Sequence, residues 1–293
     1  MPVFATLSEA DQYFAHLNRA GFTGAWLSYF NHINGGIGGT NVNGDAVATG
    51  GWGDRFYLNQ GYINHMRGIL DAAQRNNQKI GFVMIWANKY ANDGSLNAGN
   101  AWQLGFDLGQ AFGDHGAIAH WVAGGDNFIG VEDPQIWANM VSGLREAGAN
   151  QPVGYHSPAY SGSNGHLRFV NEWWADFVAA QTGHCQNAST TYQQLADAVN
   201  QSPKPIYAGE LRYENISPSW CDSPDGEGVP GWAVEADAQA AADAGVGAIL
   251  FGHNERWQWG RALNGGSGGG GGAAIGSLGS DGEIRTIAVA SRY

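Results

Sequence analysis

Two hydrophobic patterns alternate along the chain, one with apolar residues at helical spacing and one with short continuous apolar runs. In the first helical segment, Phe14, Leu17 and Ala20 share one face, Ser8 is the expected N-cap and Gly21 the expected end. Helices are predicted at 8–20, 60–76, 101–112, 134–147, 191–201, 231–244 and 280–292. Strands are predicted at 24–30, 79–86, 117–123, 152–155, 176–181, 205–209 and 246–252. Continuous apolar runs are typical of parallel strands that are covered on both faces.

This alternation of strands and helices predicts an α/β fold. With Pro2–Ala5 counted as a short or truncated first strand, the sequence holds eight βα units, as a (β/α)8 TIM barrel does. A doubly wound sheet is the structural alternative, but no Gly-x-Gly-x-x-Gly motif follows the first strand. We therefore expect one barrel domain over residues 1–293, with long loops at its C-terminal face. The Gly/Asn-rich stretch Asn31–Asn59 is one such loop, and Gly265–Gly272 is a Gly-rich loop before the last helix.

The polarity of the chain comes mainly from uncharged residues. Charged residues make up 14% of it, and 14 Lys and Arg against 26 Asp and Glu give a net charge of -12. This negative charge argues against binding to nucleic acid or to an anionic membrane surface. No apolar run approaches the ~20 residues of a membrane span. The 12 Trp and 11 Tyr, among many neutral polar residues, are typical of proteins that bind neutral sugars.

The first residues and the cysteines say little about location. The N-terminal sequence lacks the basic start and long apolar core of a signal peptide, so we expect a cytoplasmic protein, export by another route, or a missing leader. Cys185 and Cys221 are the only cysteines, and both follow predicted strands. A disulfide between them and two separate thiols are both compatible with these positions.

Two predicted strands end in glycine followed by a carboxylate. Asp126 closes the segment Trp-Val-Ala-Gly-Gly-Asp, and Glu210 closes Pro-Ile-Tyr-Ala-Gly-Glu. In a barrel these acids lie at the carboxyl ends of the fourth and seventh strands, where barrel enzymes carry their catalytic groups. Two facing carboxyl groups suit the cleavage of a glycosidic bond. The alternative is that Asp126 caps a helix and Glu210 pairs with Arg212, but the matching positions favour catalysis.

Several motifs, in order along nearly the whole chain, resemble the apiosidase-like glycoside hydrolases. They lie at residues 4–11, 20–24, 121–126, 155–158, 181–184, 204–214, 252–253 and 257–259. The sequence departs from the family in starting after most of its first strand and in having Leu211, not proline, after Glu210. The resemblance implies a (β/α)8 barrel related to clan A glycosidases. It also implies that Asp126 is the general acid/base and Glu210 the nucleophile.

Such roles require that the two acids differ in pKa. Burial against Trp121 or Trp86, with the nearby charge of Glu210, is expected to raise the pKa of Asp126 so that it donates a proton to the leaving oxygen. Glu210 is expected to stay ionised and to attack the anomeric carbon, after which Asp126 activates water.

Arg212 or the hydroxyl of Tyr213 is expected to stabilise the ionised carboxylate of Glu210. Glu214, four residues further on, is the alternative nucleophile. We prefer Glu210 because it closes a strand, whereas Glu214 lies in the following loop.

Other polar and aromatic residues near the predicted strand ends are expected to bind the sugar. They are Trp86, His156, Gln181, His184, Arg212, Tyr213, His253 and Trp257. The Trp rings are expected to stack on the sugar, and His and Gln to bind its hydroxyl groups. Taken singly, such a His or Gln more often satisfies loop backbone groups. A metal site formed by the three histidines is disfavoured because no element carries two ligands at metal-binding spacing, so we expect no metal and no cofactor.

The sequence therefore predicts a retaining glycoside hydrolase that acts on a cell-wall or plant polysaccharide or on its side chains. The alternative function is that of a non-catalytic glycan-binding protein in a larger surface or virion tail assembly. For either function the expected location is extracellular or on a virion surface. If the protein is an enzyme, replacing Asp126 or Glu210 by Ala is expected to abolish turnover. If it is a non-catalytic glycan-binding protein, the same replacements are expected to have no effect.

Overall fold

The computed structural model describes residues 5–30, 36–51, 54–91, 93–125, 133–158, 165–217, 228–252 and 280–290. The chain divides into two compact units, Met1–Tyr155 and His156–Tyr293. In both units parallel strands alternate with helices, which confirms the α/β class. The prediction of one domain over the whole chain stays a prediction. Within the described ranges, no helix is long and apolar enough to cross a membrane.

The first unit contains three long parallel strands and a short antiparallel hairpin. Its strands are β1 (Gly24–Phe30), β2 (Ala48–Gly50), β3 (Phe56–Leu58), β4 (Lys79–Ile85) and β5 (Ile118–Gly124). Its helices are α1 (Leu7–Ala20), α2 (Gln60–Arg75), α3 (Ala87–Tyr90), α4 (Ala98–Phe112) and α5 (Pro134–Glu146). β4 pairs with both β1 and β5 in parallel, and β2 pairs with β3. β6 (Val153–His156) follows α5 and crosses the border between the units.

Aromatic rings fill the core of the first unit. The ring of Phe82 lies 5.1 Å from that of Phe112 and 5.2 Å from that of Trp121, measured between centroids. All three side chains are buried, and burial of each contributes ~1.5–3 kcal/mol. α4 and α5 approach each other closely at Gly105 and Gly143. A Cβ at either glycine would overlap a backbone oxygen of the opposite helix. Trp121, which the sequence offers as a partner of Asp126, thus packs within the core.

The described residues of the second unit include three parallel strands and three helices of more than two turns. The strands are β7 (Phe177–Gln181), β8 (Ile206–Glu210) and β9 (Ala248–Ile249), and the helices are α6 (Ala188–Gln201), α7 (Gly231–Asp243) and α8 (Asp281–Ala290). β8 pairs with β7 on one side and β9 on the other. Strand and helix residues share one apolar cluster, which includes Val178, Leu195, Ile206 and Ala241. This cluster identifies the face of β7 and β8 that packs against the helices.

Some predicted boundaries differ from those in the structure. Thr6, not Ser8, is the N-cap of α1, because its hydroxyl accepts a hydrogen bond from the Glu9 N–H and the Glu9 carboxylate accepts one from the Thr6 N–H. The predicted loop 31–59 contains the β2–β3 hairpin. Of the predicted first strand, residues 2–4 lie outside the described residues and Ala5 is not in a strand. The Gly-rich segment 265–272 also lies outside them.

Candidate active site

A β-bulge determines the direction of the Glu210 side chain. Ala180 of β7 pairs with Ala208 of β8, whereas the next residue, Gln181, pairs with Glu210. Gly209 is therefore an extra residue in β8. Ala208 belongs to the cluster that packs against the helices, and with regular alternation Glu210 would point the same way. The bulge turns Glu210 to the opposite face, beside Gln181.

Two histidines contact the carboxylate of Glu210. The Nε2 atom of His156 lies 3.3 Å from Glu210 Oε2, and the Nε2 atom of His184 lies 3.2 Å from Glu210 Oε1. His156 is the last residue of β6, and His184 lies in the loop after β7. The three side chains are buried or nearly so, with Glu210 only 6% exposed. Each carboxylate oxygen thus has its own imidazole partner.

These contacts decide the charge of Glu210. Burial by itself raises the pKa of a carboxyl group, because it disfavours the charged form. The hydrogen bonds from His156 and His184, and the positive charge of these rings when protonated, outweigh burial and hold the pKa of Glu210 well below its usual range. Glu210 is therefore ionised at neutral pH, which suits a nucleophile or a base.

A chain of buried polar groups lies behind His156. Its Nδ1 atom donates to the backbone oxygen of Ser157 at 3.0 Å. The Ser157 hydroxyl accepts the Gln181 N–H at 3.2 Å and lies 2.9 Å from Nδ1 of His166. Burial lowers the pKa of His166 to about 4, so this ring is neutral at neutral pH. The ends of β6 and β7 are thereby tied together behind the carboxylate site.

On the other side of the site, His184 packs against Tyr213. The two ring centroids are 4.5 Å apart and the rings are tilted by 55°. A Cβ at Gly252 would overlap the Tyr213 ring, so this glycine lets the ring lie against the backbone after β9. Within the described part of the chain, Nδ1 of His184 is buried and has no hydrogen-bond partner. The ring thus contacts Glu210 through Nε2 alone.

The side chain of Arg212 is directed to a different carboxylate. Its Nε and Nη2 atoms donate to Asp237 of α7 at 2.6 and 2.9 Å. Asp237 is fully buried, and burial raises its pKa despite the pair with Arg212. The expectation that Arg212 pairs with Glu210, or keeps it ionised, is therefore wrong; the two histidines take that place. A role for Arg212 in sugar binding stays a prediction.

Glu214, the alternative nucleophile, has a structural partner. Its carboxylate accepts a hydrogen bond from the Ser280 hydroxyl, which also accepts the backbone N–H of Glu283 in α8. Glu214 is buried, with 5% of its surface exposed. These contacts link the loop after β8 to the beginning of α8, and they support the preference for Glu210.

In the first unit, Trp86 packs on Gly125, the glycine that precedes the predicted acid in the sequence. Trp86 follows β4 and is half-buried, and a Cβ at Gly125 would lie 2.8 Å from its Cδ2 atom. Gly125 has a φ of +113°, a conformation that favours glycine. The backbone just before Asp126 therefore lies against the indole ring of Trp86.

Three predicted site residues lie outside the described residues: Asp126, His253 and Trp257. Cys185 is disulfide-bonded, and Cys221, the other cysteine, also lies outside them. Among the residues that the structure covers, no group of three His, Cys, Asp or Glu side chains is arranged to hold a metal ion.

Sequence reasoning missed the roles of Ser157, His166 and Asp237. Ser157 follows His156 in the motif at residues 155–158, and this neighbourhood is the signal in the sequence that could have placed it near the site. His166 and Asp237 contact their partners only through tertiary packing. No local pattern indicates either contact.

Comparison with known proteins identifies the family and the fold. The family model described as apiosidase-like, catalytic domain, matches residues 1–267. A solved structure named glycoside hydrolase aligns with a TM-score of 0.82 and 22% identity over 100% of this chain and 68% of its own. A glycoside hydrolase family 5 structure from Bacteroides vulgatus aligns with a TM-score of 0.79 and 21% identity over 98% of this chain and 64% of its own.

A family 5 enzyme from Prevotella bryantii, solved with a xyloglucan tetradecasaccharide, aligns with a TM-score of 0.62 and 9% identity over 96% of this chain and 85% of its own. No curated protein sequence matches the chain. The structural likenesses confirm the predicted fold class, the TIM-barrel fold of glycoside hydrolases. Because the family model covers most of the sequence, the chain belongs to the apiosidase-like catalytic domains, a family of glycosidases.

Proposed function

We propose that this glycosidase retains the configuration of the anomeric carbon, with Glu210 as nucleophile and Asp126 as general acid/base. Asp126 gives its proton to the leaving oxygen while a Glu210 oxygen attacks the anomeric carbon, so that a glycosyl-enzyme ester forms and the glycosidic bond breaks. Asp126, now a carboxylate, takes a proton from water as that water attacks the same carbon. The sugar leaves with a new hydroxyl, and Glu210 is again a carboxylate.

The observation that carries this proposal is the ionised, buried Glu210 between two imidazole rings. A nucleophile must be deprotonated before substrate binds, and the lowered pKa of Glu210 meets this requirement. The hydrogen bonds from His156 and His184 also fix the direction of both carboxylate oxygens. Fixed direction favours attack because less motion must be restricted in the transition state.

We propose a polysaccharide or its side chains as the substrate. The Prevotella bryantii enzyme of similar fold was solved with a xyloglucan oligosaccharide, which makes plant glycans a reasonable first set. Gln181 lies beside Glu210 on the same face, where it suits a sugar hydroxyl. Stacking on the sugar ring is assigned to Trp86, with Trp257 and His253 as the further predicted contacts.

The test is a set of single variants assayed on xyloglucan, on other plant and bacterial cell-wall glycans and on 4-nitrophenyl glycosides. Glu210→Ala is expected to lose turnover by at least about 10³-fold, and azide is expected to restore it as a glycosyl azide of inverted configuration. Asp126→Ala is expected to be restored by azide with retained configuration. The control is Glu214→Gln, which is expected to keep most turnover because that carboxylate is bound to Ser280.

Loss of turnover in the Glu214 variant with normal turnover in the Glu210 variant would overturn the assignment. Inverted configuration in the wild-type product, followed by NMR, would replace retention with single displacement. Glycan binding without turnover by the wild type, weakened by Trp86→Ala, would favour the non-catalytic glycan-binding alternative.

A further inference from the structure

The two histidines that hold Glu210 differ in what their second ring nitrogen contacts. Nδ1 of His156 faces the backbone oxygen of Ser157, whereas Nδ1 of His184 is buried without a partner in the described part of the structure. The Nε2 contacts to Glu210 are nearly the same length, 3.3 and 3.2 Å. The contact of each Nδ1 atom therefore decides whether its ring carries one proton or two.

His156 must carry a proton on both nitrogens. A backbone oxygen can only accept, so Nδ1 of His156 donates to Ser157. An ionised carboxylate can also only accept, so Nε2 donates to Glu210. A ring with two N–H groups is the imidazolium cation. His156 is 1% exposed, and its charge is compensated directly by the carboxylate.

The contacts of His184 favour a neutral ring instead. Its Nε2 must donate to the ionised carboxylate, which accounts for one proton. A second proton on Nδ1 would create a buried, charged N–H without an acceptor, and this costs far more than an unused lone pair. The neutral ring with its proton on Nε2 avoids that cost.

We propose that His156 is the cationic positioning residue of the nucleophile and that His184 is a neutral hydrogen-bond donor. The cation keeps Glu210 ionised before the reaction. The neutral donor orients the second oxygen without adding a second positive charge. A second cation would stabilise the ionised carboxylate and so oppose its attack on the anomeric carbon, in which the carboxylate loses its charge. This assignment rests on the proposed role of Glu210 and defines how its pKa is set.

The titratable neighbours of the site fit this assignment. Glu210 is faced by His156 from β6 and by His184 from the loop after β7, while Tyr213 lies on His184. His166, behind His156, is neutral at neutral pH because burial lowers its pKa to about 4. Arg212 is paired with Asp237. Within the described part of the site, His156 is therefore the cation in contact with Glu210.

The first experiment is 15N NMR of the imidazole nitrogens in the wild-type protein at neutral pH. His156 is expected to give two similar nitrogen shifts, as imidazolium does, and His184 two widely separated shifts with the proton on Nε2. Assignments come from His156→Gln and His184→Gln. A protonated Nδ1 in His184, or a neutral His156, would overturn the proposal. This readout needs no turnover, so it stands apart from the test of Glu210 as nucleophile.

The second experiment compares the pH profiles of kcat/KM of the same two variants. Glutamine places an amide N–H near the position of Nε2 but carries no charge. His156→Gln is expected to move the acid limb upward by about one to three pH units, the usual effect of an opposite charge on a neighbouring carboxylate. His184→Gln is expected to leave the acid limb in place, whatever its effect on KM. Equal movement of the limb in both variants would refute the difference between the histidines.

Discussion

Removal of the Arg212 guanidinium tests whether this residue serves the fold. Arg212→Met keeps most of the side-chain volume and leaves Asp237 without its bidentate partner, which donates at 2.6 and 2.9 Å. Asp237 is fully buried, and Arg212 itself is only 16% exposed. Breaking a buried pair by removing one partner costs ~3–5 kcal/mol. We expect a loss of that size in the free energy of unfolding.

The loss depends on pH in a defined direction. The pKa of Asp237 is raised in the folded protein by burial, and loss of the Arg212 pair raises it further. A carboxyl group with a raised folded-state pKa adds no penalty below the pKa of the unfolded state; its penalty grows as the pH rises from that value and is complete above the folded-state pKa. Urea unfolding of Arg212→Met at acidic and at alkaline pH is therefore expected to show the smaller loss at acidic pH.

The double variant Arg212→Met with Asp237→Leu serves as the control. Because it has no unpaired buried charge, it is expected to recover much of the stability that the single variant loses. A stability loss below about 1 kcal/mol in Arg212→Met, with kcat/KM strongly reduced, would refute the structural role. That result would assign Arg212 to substrate binding, as the sequence suggested.

Three further changes test the packing and the charge of the fold. Gly105→Ala is expected to lose ~1–3 kcal/mol in urea unfolding because its Cβ would overlap a backbone oxygen of α5, whereas Gly38→Ala, with open space around it, is expected to be neutral; equal effects would contradict the packing of α4 on α5. Thr6→Ala is expected to lose ~1 kcal/mol and Ser8→Ala to lose less, since Thr6 caps α1; the reverse order in thermal unfolding would contradict this cap. Because the folded-state pKa of Glu210 is lowered, its stabilising contribution is present above the ordinary glutamate pKa and is lost as the pH falls through the folded-state value. Glu210→Gln is therefore expected to flatten the acid side of the stability profile, and an unchanged profile would show that Glu210 is not ionised in the fold.

The sequence alone determined the order and type of the main elements, because hydrophobic periodicity reports local burial. Strand β1 was predicted at the residues where it occurs, and most other boundaries differ by a few residues. The hairpin β2–β3 was missed because its strands have three residues each, too few for a periodic signal. The position of Glu210 at the end of β8 was also evident from the sequence.

Tertiary structure decided what surrounds that carboxylate. The bulge at Gly209 sets the face on which Glu210 lies, and strand pairing, not composition, creates it. Arg212 stands two residues from Glu210, yet its partner is Asp237 in α7, and the charge of Glu210 is set by His156 and His184. Sequence order supplies the ionisable groups, but the distances that assign their partners exist only after strands and helices have packed. Electrostatic energy depends on those distances, so the chemistry of the site belongs to the fold.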